Sequence, residues 1–203
     1  YGLESNLSSS LLTNKKIGLL GFGDLAKALC PFLLPFTKNI NVYDPWVPNQ
    51  IIKKAGFKSI NLSKMFSDCE IIYVLATITT KNKNLIDKKL LNRMRSRSVF
   101  VLMSRAAIVN FEDLKKRIKK GDIYVATDVF PEEPVKKNDP IRKLENVLFS
   151  AHRAGALEQA FFEMGEIVLK DMSLILKKKA PKFCKRAQSK TVNLLASKPV
   201  AIN

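Results

Sequence analysis

At 203 residues, 46% hydrophobic and 26% charged, the chain is long enough for one sizeable domain with a core of its own. No run approaches the roughly 18 apolar residues that span a bilayer, so no membrane partner is expected. The net charge of +17 comes mostly from lysines scattered in pairs, Lys15-Lys16 through Lys119-Lys120. They read as solvated surface; a nucleic-acid face would gather arginines and aromatics in one segment, so no nucleic-acid partner is expected.

Residues 1–14 are rich in Ser and Asn and read as a linker. Short, apolar, β-branched runs follow at 17–20, 40–43, 71–75, 99–103, 123–127 and 147–149, each bounded by turn or charged residues. Runs of that kind suit strands buried on both faces. Helical periodicity occupies 87–94 and 111–118 between them, the second ending in Lys119-Lys120-Gly121, with cations in the last turn and a glycine beyond it. The alternation predicts an α/β, Rossmann-like, doubly wound parallel sheet with helices on both faces, spanning 15–155. Beyond it, 156–178 predicts one long amphipathic helix whose apolar stripe is Phe161, Phe162, Ile167, Val168, Met172, Leu174 and Ile175. Ala180-Pro181 ends that helix, and the rest of 156–203 is basic and irregular, with a cluster at 177–190.

Cys30, Cys69 and Cys184 are odd in number, with no CxxC spacing and no Cys/His pairing. A reducing, cytoplasmic setting is expected, with neither a disulfide framework nor a metal site.

The first strand runs into Gly21-Phe22-Gly23-Asp24-Leu25-Ala26, a GxGxxG pattern with Ala in the last place. The first glycine permits the tight turn; the second lets backbone N–H groups approach a pyrophosphate at a helix N-terminus. Asp44 ends the next strand about 20 residues on, where an acid can accept hydrogen bonds from ribose hydroxyls and repel a 2′-phosphate, favouring NAD over NADP. Asp24 places a carboxylate close to the expected pyrophosphate, and Pro31 and Pro35 predict a short or kinked helix after the loop.

Three more residues lie just past apolar runs: Arg105 in MSRAA, Glu133 in DVFPEEP and His152, the only histidine, in NVLFSAHRAG. An Arg, a Glu and a His at successive strand ends can bind an anionic substrate, tune an imidazole and move a proton. That is the chemistry of a 2-oxo or 2-hydroxy acid oxidoreductase.

On the runs IGLLGFGDLA, NVYDPW, TITTKNKNLIDKKLLNRM, VFVLMSRAAIVNFEDL, YVATDVFPEEP and NVLFSAHRAG, in this order, the chain resembles the D-isomer-specific 2-hydroxyacid dehydrogenases over roughly residues 15–178. The resemblance implies an NAD-dependent enzyme acting on a small anionic 2-oxo or 2-hydroxy acid, and a homodimer formed largely through cofactor domains. It implies that Arg105 holds the substrate carboxylate and keto oxygen. It further implies that His152 exchanges the proton and that Glu133 pairs with the imidazole; Glu132 is the alternative, but the family register favours Glu133. Asp128 would lie near the nicotinamide carboxamide, and Gly21, Gly23, Asp24, Leu25, Asp44, Thr77 and the backbone around Arg105 would flank the cofactor. The helix at 156–178 would return the chain to a substrate domain whose first part precedes residue 1. Such a chain alone is expected to bind NADH weakly and turn over poorly. Departures from the family pattern are Ala106 for Gly, Ala151 for Pro, and Leu75-Ala76-Thr77 for His-x-Pro. Arg153 is a candidate second cation, favouring an acidic or phosphorylated substrate. The family also contains NAD(H)-binding transcriptional corepressors, so an interaction protein of that kind, or an inactive fragment, is the alternative reading.

Overall fold

The computed structural model describes residues 9–186; the remainder of the expected linker (1–8) and of the tail (187–203) lies outside the described residues. Seven strands form one parallel sheet: β1 (Ile17–Leu20), β2 (Ile40–Tyr43), β3 (Lys58–Ser59), β4 (Ile71–Val74), β5 (Val99–Leu102), β6 (Tyr124–Thr127) and β7 (Val147–Phe149). Their order is β3-β2-β1-β4-β5-β6-β7, so the chain first winds outward from β1 and then reverses through β4. Among the described residues six α-helices connect or follow them: α1 (Asp24–Leu33), α2 (Asn49–Lys54), α3 (Leu62–Asp68), α4 (Lys88–Leu91), α5 (Phe111–Ile118) and α6 (Glu158–Leu176).

The strands sort their side chains by the two-residue period of a pleated sheet. Ile17 and Leu19 of β1 point into one apolar layer with Ala26, Leu33, Ile40 and Val42. Leu20, Ile72, Val74, Phe100 and Leu102 point into the other, with Met65, Phe66 and Leu114. This is why the strand runs look apolar at nearly every position. Gly18 of β1 lets α3 come close: a Cβ there would stand 2.7 Å from Cγ of Met65.

Several expected bounds shift. Strands β4 and β5 end one residue early and β6 begins one residue late. The expected helix 87–94 keeps only α4, capped by the Asp87 carboxylate on the Leu90 N–H (3.0 Å), and 92–94 turn away. Arg117 explains the early stop. Its guanidinium is buried and donates to the Leu91 carbonyl (3.1 Å), the Met94 carbonyl (3.1 Å) and the Asp122 carboxylate. It thereby satisfies carbonyls that another helical turn would have used. Arg117→Ala strips these donors, leaving the Leu91 carbonyl only the Met94 N–H (3.2 Å) and the Asp122 carboxylate without its cation, so it is expected to lower stability by about 3 kcal/mol, read as the change in urea-unfolding midpoint at constant slope.

Helix α1 ends at Leu33 with Pro31 in its last turn, short as the prolines require. Helix α5 matches 111–118, with Asn110 accepting from the Asp113 N–H (3.2 Å) and acids first, cations last. Helix α6 lies inside 156–178, and its stripe finds little cover among the described residues: Phe161, Phe162, Ile167, Val168, Met172 and Ile175 are exposed and Leu174 is half-buried. The one buried residue of α6 is Asp171, which accepts from the backbone N–H groups of Lys182 (2.7 Å), Phe183 (3.0 Å) and Cys184 (2.6 Å). Burial raises its pKa, but these bonds outweigh burial and hold it down to about 2. Because the carboxylate's folded pKa is depressed, the anchoring is present at neutral pH and is lost only as pH falls through about 2. No described helix is long and apolar enough to cross a membrane. No group of acids, His and Cys suited to a metal occurs among the described residues.

Candidate active site

The sheet reverses direction between β1 and β4, and the crevice outside the carboxyl ends of strands at such a reversal is where doubly wound sheets bind ligands. A cavity of about 380 Å³ opens there, lined among others by Gly21, Gly23, Asp44, Trp46, Thr77 and Lys81. Gly21 has φ +96°, and a Cβ on it would meet the backbone of Ala76 at 2.7 Å, so the turn out of β1 admits only glycine. A Cβ on Gly23 would meet nothing within 4 Å: the space above the N-terminus of α1 is open. Together these make a cradle that fits a dinucleotide pyrophosphate.

Asp44 ties the cradle together. One oxygen accepts from the Phe22 N–H (2.8 Å) and the other from the N–H groups of Trp46 (2.8 Å) and Val47 (3.2 Å). A carboxylate has about four acceptor sites, so a position for a ribose hydroxyl is left. Trp46 forms the outer wall, with Lys81 Nζ 5.6 Å from its ring centre. Thr77 lies on the rim and its carbonyl accepts from Asn82 Nδ2 (2.8 Å). Leu25 is exposed on α1. Asp24 does not stand bare beside the cradle, because Lys185 Nζ lies 2.7 and 2.6 Å from its two oxygens.

Further along the same edge, Arg105 follows β5, Glu133 follows β6 and His152 follows β7. All three line one cavity of about 530 Å³, with Lys83, Asn110 and Phe130 among its other walls. Glu133 Oε2 is 2.7 Å from His152 Nδ1, and Glu133 Oε1 accepts from the Phe130 N–H (2.8 Å). An ionised carboxylate only accepts, so Nδ1 carries the proton and Nε2 is left as the nitrogen that can exchange one. Glu132 instead pairs with Lys136 at 3.1 Å. The exposed Arg105 guanidinium spends one N–H on the Ser104 carbonyl (2.7 Å), leaving others for an anion.

His152 itself is held in the left-handed region, φ +54°. Asp128 supports that conformation from both sides: its buried carboxylate accepts from the Ser150 hydroxyl, the Arg153 N–H (2.9 Å) and the Ala154 N–H (3.1 Å). Burial raises its pKa, but those donors outweigh burial and hold it below the ordinary carboxylate value. Both oxygens are thus turned onto the loop that carries the histidine. Arg153 is absent from the walls of the Arg105 cavity, and the second cation there is Lys83. Lys83, Trp46, Ser150 and Lys185 are not singled out by the sequence. Only Trp46, directly after Asp44-Pro45, carries a local signal, since it must follow wherever Asp44 is placed.

Comparison with known proteins gives a consistent pattern. Residues 3–154 match the model for the D-isomer specific 2-hydroxyacid dehydrogenase, NAD binding domain. The Bacillus subtilis protein YoaD, assigned to the 2-hydroxyacid dehydrogenases, is 36% identical over 149 residues, covering 71% of this chain and 42% of its own. A glyoxylate reductase of Korarchaeum cryptofilum is 28% identical over 159 residues, 78% of this chain and 48% of its own. The crystal structure of a phosphoglycerate oxidoreductase from Rhizobium etli superposes with a TM-score of 0.83 at 39% identity, over 93% of this chain and 57% of its own. The chain therefore spans less than two thirds of the length of each of these proteins.

Proposed function

The chain belongs to the D-isomer-specific 2-hydroxyacid dehydrogenase family through its NAD-binding domain, and on that premise we propose that it serves an oxidoreductase interconverting a small D-2-hydroxy acid and its 2-oxo acid. When bound, NADH supplies the hydride that C2 of the 2-oxo acid receives. Arg105 binds the substrate carboxylate through its planar fork and polarises the keto oxygen. His152 Nε2 gives its proton to that oxygen as it becomes a hydroxyl, and takes the proton back in the oxidation direction. Glu133 accepts from Nδ1, fixing the tautomer and the ring orientation while the proton moves at Nε2. Asp128 is the positioning residue for the loop that aims His152. Gly21, Gly23 and Asp44 cradle the dinucleotide, with Asp44 oriented toward the ribose by its three backbone donors. Lys83, rather than Arg153, is the cation that would favour a substrate with a second negative charge. Assembly as a homodimer is part of the same reading and is read by sedimentation.

The observation that carries this is the meeting of Arg105 with the Glu133–His152 pair in one cavity, at the carboxyl ends of three successive strands. Its test separates carboxylate binding from the chemistry. The protein is expected to prefer a 2-oxo acid over the matching 2-oxo amide, and Arg105→Ala to lower kcat/KM for the acid by roughly 10- to 100-fold more than for the amide, whose smaller loss reads the polarisation of the keto oxygen alone. Equal losses on acid and amide would remove Arg105 from carboxylate recognition.

A further inference from the structure

The dinucleotide loop carries an acid where an anion must bind. Asp24 is the first residue of α1, so its carboxylate and a pyrophosphate compete for the same helix N-terminus. The structure shows how that conflict is met. Lys185, far along the chain, brings Nζ to 2.7 and 2.6 Å from the two oxygens of Asp24. The backbone that carries it is fastened separately, because Asp171 of α6 accepts from the N–H groups of Lys182, Phe183 and Cys184. A carboxylate that is the only buried residue of a mostly exposed helix is thus spent on the turn preceding Lys185. Residues 171–185 form a clasp from α6 onto the cofactor loop.

The Lys185–Asp24 pair is exposed at both ends, so as a stabilising contact it contributes little. What it alters is the charge at the cradle. We propose that the 182–185 segment is part of the cofactor site: Lys185 offsets the Asp24 carboxylate so that the loop accepts a pyrophosphate, and Asp171 is the positioning residue that holds Lys185 there. The inference rests on the NAD-binding assignment and not on the reaction proposed above, so it is tested by binding alone.

The experiment is calorimetric titration of the full chain with NADH, ADP and adenosine. Lys185→Ala is expected to raise Kd for NADH and for ADP about fivefold and to leave adenosine, which has no phosphate, within about twofold. Lys185→Arg keeps the cation and behaves like the parent. Asp24→Asn combined with Lys185→Ala removes both charges and returns Kd to within about twofold of the parent. Asp171→Asn reproduces the Lys185→Ala pattern, because the turn loses its anchor while Lys185 remains. Unchanged Kd for NADH and ADP in Lys185→Ala overturns the proposal. So does equal weakening of adenosine, or a double variant no better than Lys185→Ala, since either assigns Lys185 a purely structural role.

Discussion

Replacing His152 by Asn is expected to lower kcat by about 10²- to 10⁴-fold, the range typical of a lost general acid–base group. NADH affinity is expected to hold, because His152 lines the cavity with Arg105 and not the one at the glycine loop. Glu133→Gln tests the same pair more finely. The amide keeps the shape but can donate to Nδ1, which forces the proton onto Nε2, and it carries no charge to face the ring. A loss of about 10²-fold in kcat with unchanged KM is expected from it. Steady-state kinetics of both variants, with NADH titrations beside them, check this. A His152 variant that retains parent kcat removes the imidazole from the chemistry.

Asp128→Ala is expected to cost both stability and rate. The substitution strips acceptors from the Ser150 hydroxyl and from the Arg153 and Ala154 N–H groups, and the last two lie partly in reach of water, so about 2 kcal/mol of stability is expected to go. The larger effect falls on the reaction. His152 has φ +54°, a conformation costly for most residues with a side chain, and Asp128 bonds the backbone immediately after it. Release lets the loop relax, and a displacement near 1 Å at a reacting group can cost on the order of 10²-fold in kcat. The pH behaviour follows from the sign of the shift. Because the folded pKa of Asp128 is depressed, its contribution is present above the ordinary carboxylate pKa and is lost only as pH falls through the lower folded value. Loop order therefore persists through neutral and mildly acidic pH, and Asp128→Asn imposes at pH 7 the loss that acid imposes on the parent. Protease susceptibility around residue 153, measured against pH for parent and Asn variant, reads this directly.

The parts of this fold legible in the sequence are those governed by local rules. Runs such as Val99–Leu102 announce strands because both faces of the sheet are covered, and Gly21 announces its turn because no other residue fits against Ala76. The positions proposed as catalytic are readable because a parallel sheet delivers every strand to the same edge, so Arg105, Glu133 and His152 line one cavity despite their separation in the chain. Other features depend on distant partners. The two-residue β3 is exposed and has no apolar run to mark it. Arg117 sits in a lysine-rich stretch that reads as solvated surface, yet its guanidinium is buried against the carbonyls of Leu91 and Met94. The family resemblance implies Asp128 near the nicotinamide carboxamide, while its hydrogen bonds go to the loop after β7. Asp24 reads as a misplaced charge until Lys185, supplied from beyond α6, is seen beside it. For Arg117, Asp128 and Asp24 the deciding partners lie more than 20 residues away in sequence.

The site as a whole is tested most directly by following NADH absorbance at 340 nm with a panel of 2-oxo acids (glyoxylate, pyruvate, hydroxypyruvate and longer homologues), for parent, Arg105→Ala and His152→Asn. The expected result is slow NADH oxidation that requires a 2-oxo acid and falls at least about 10-fold further in both variants, while all three proteins bind NADH alike. Tight NADH binding with no oxidation by any 2-oxo acid, or oxidation that survives both substitutions, would contradict it.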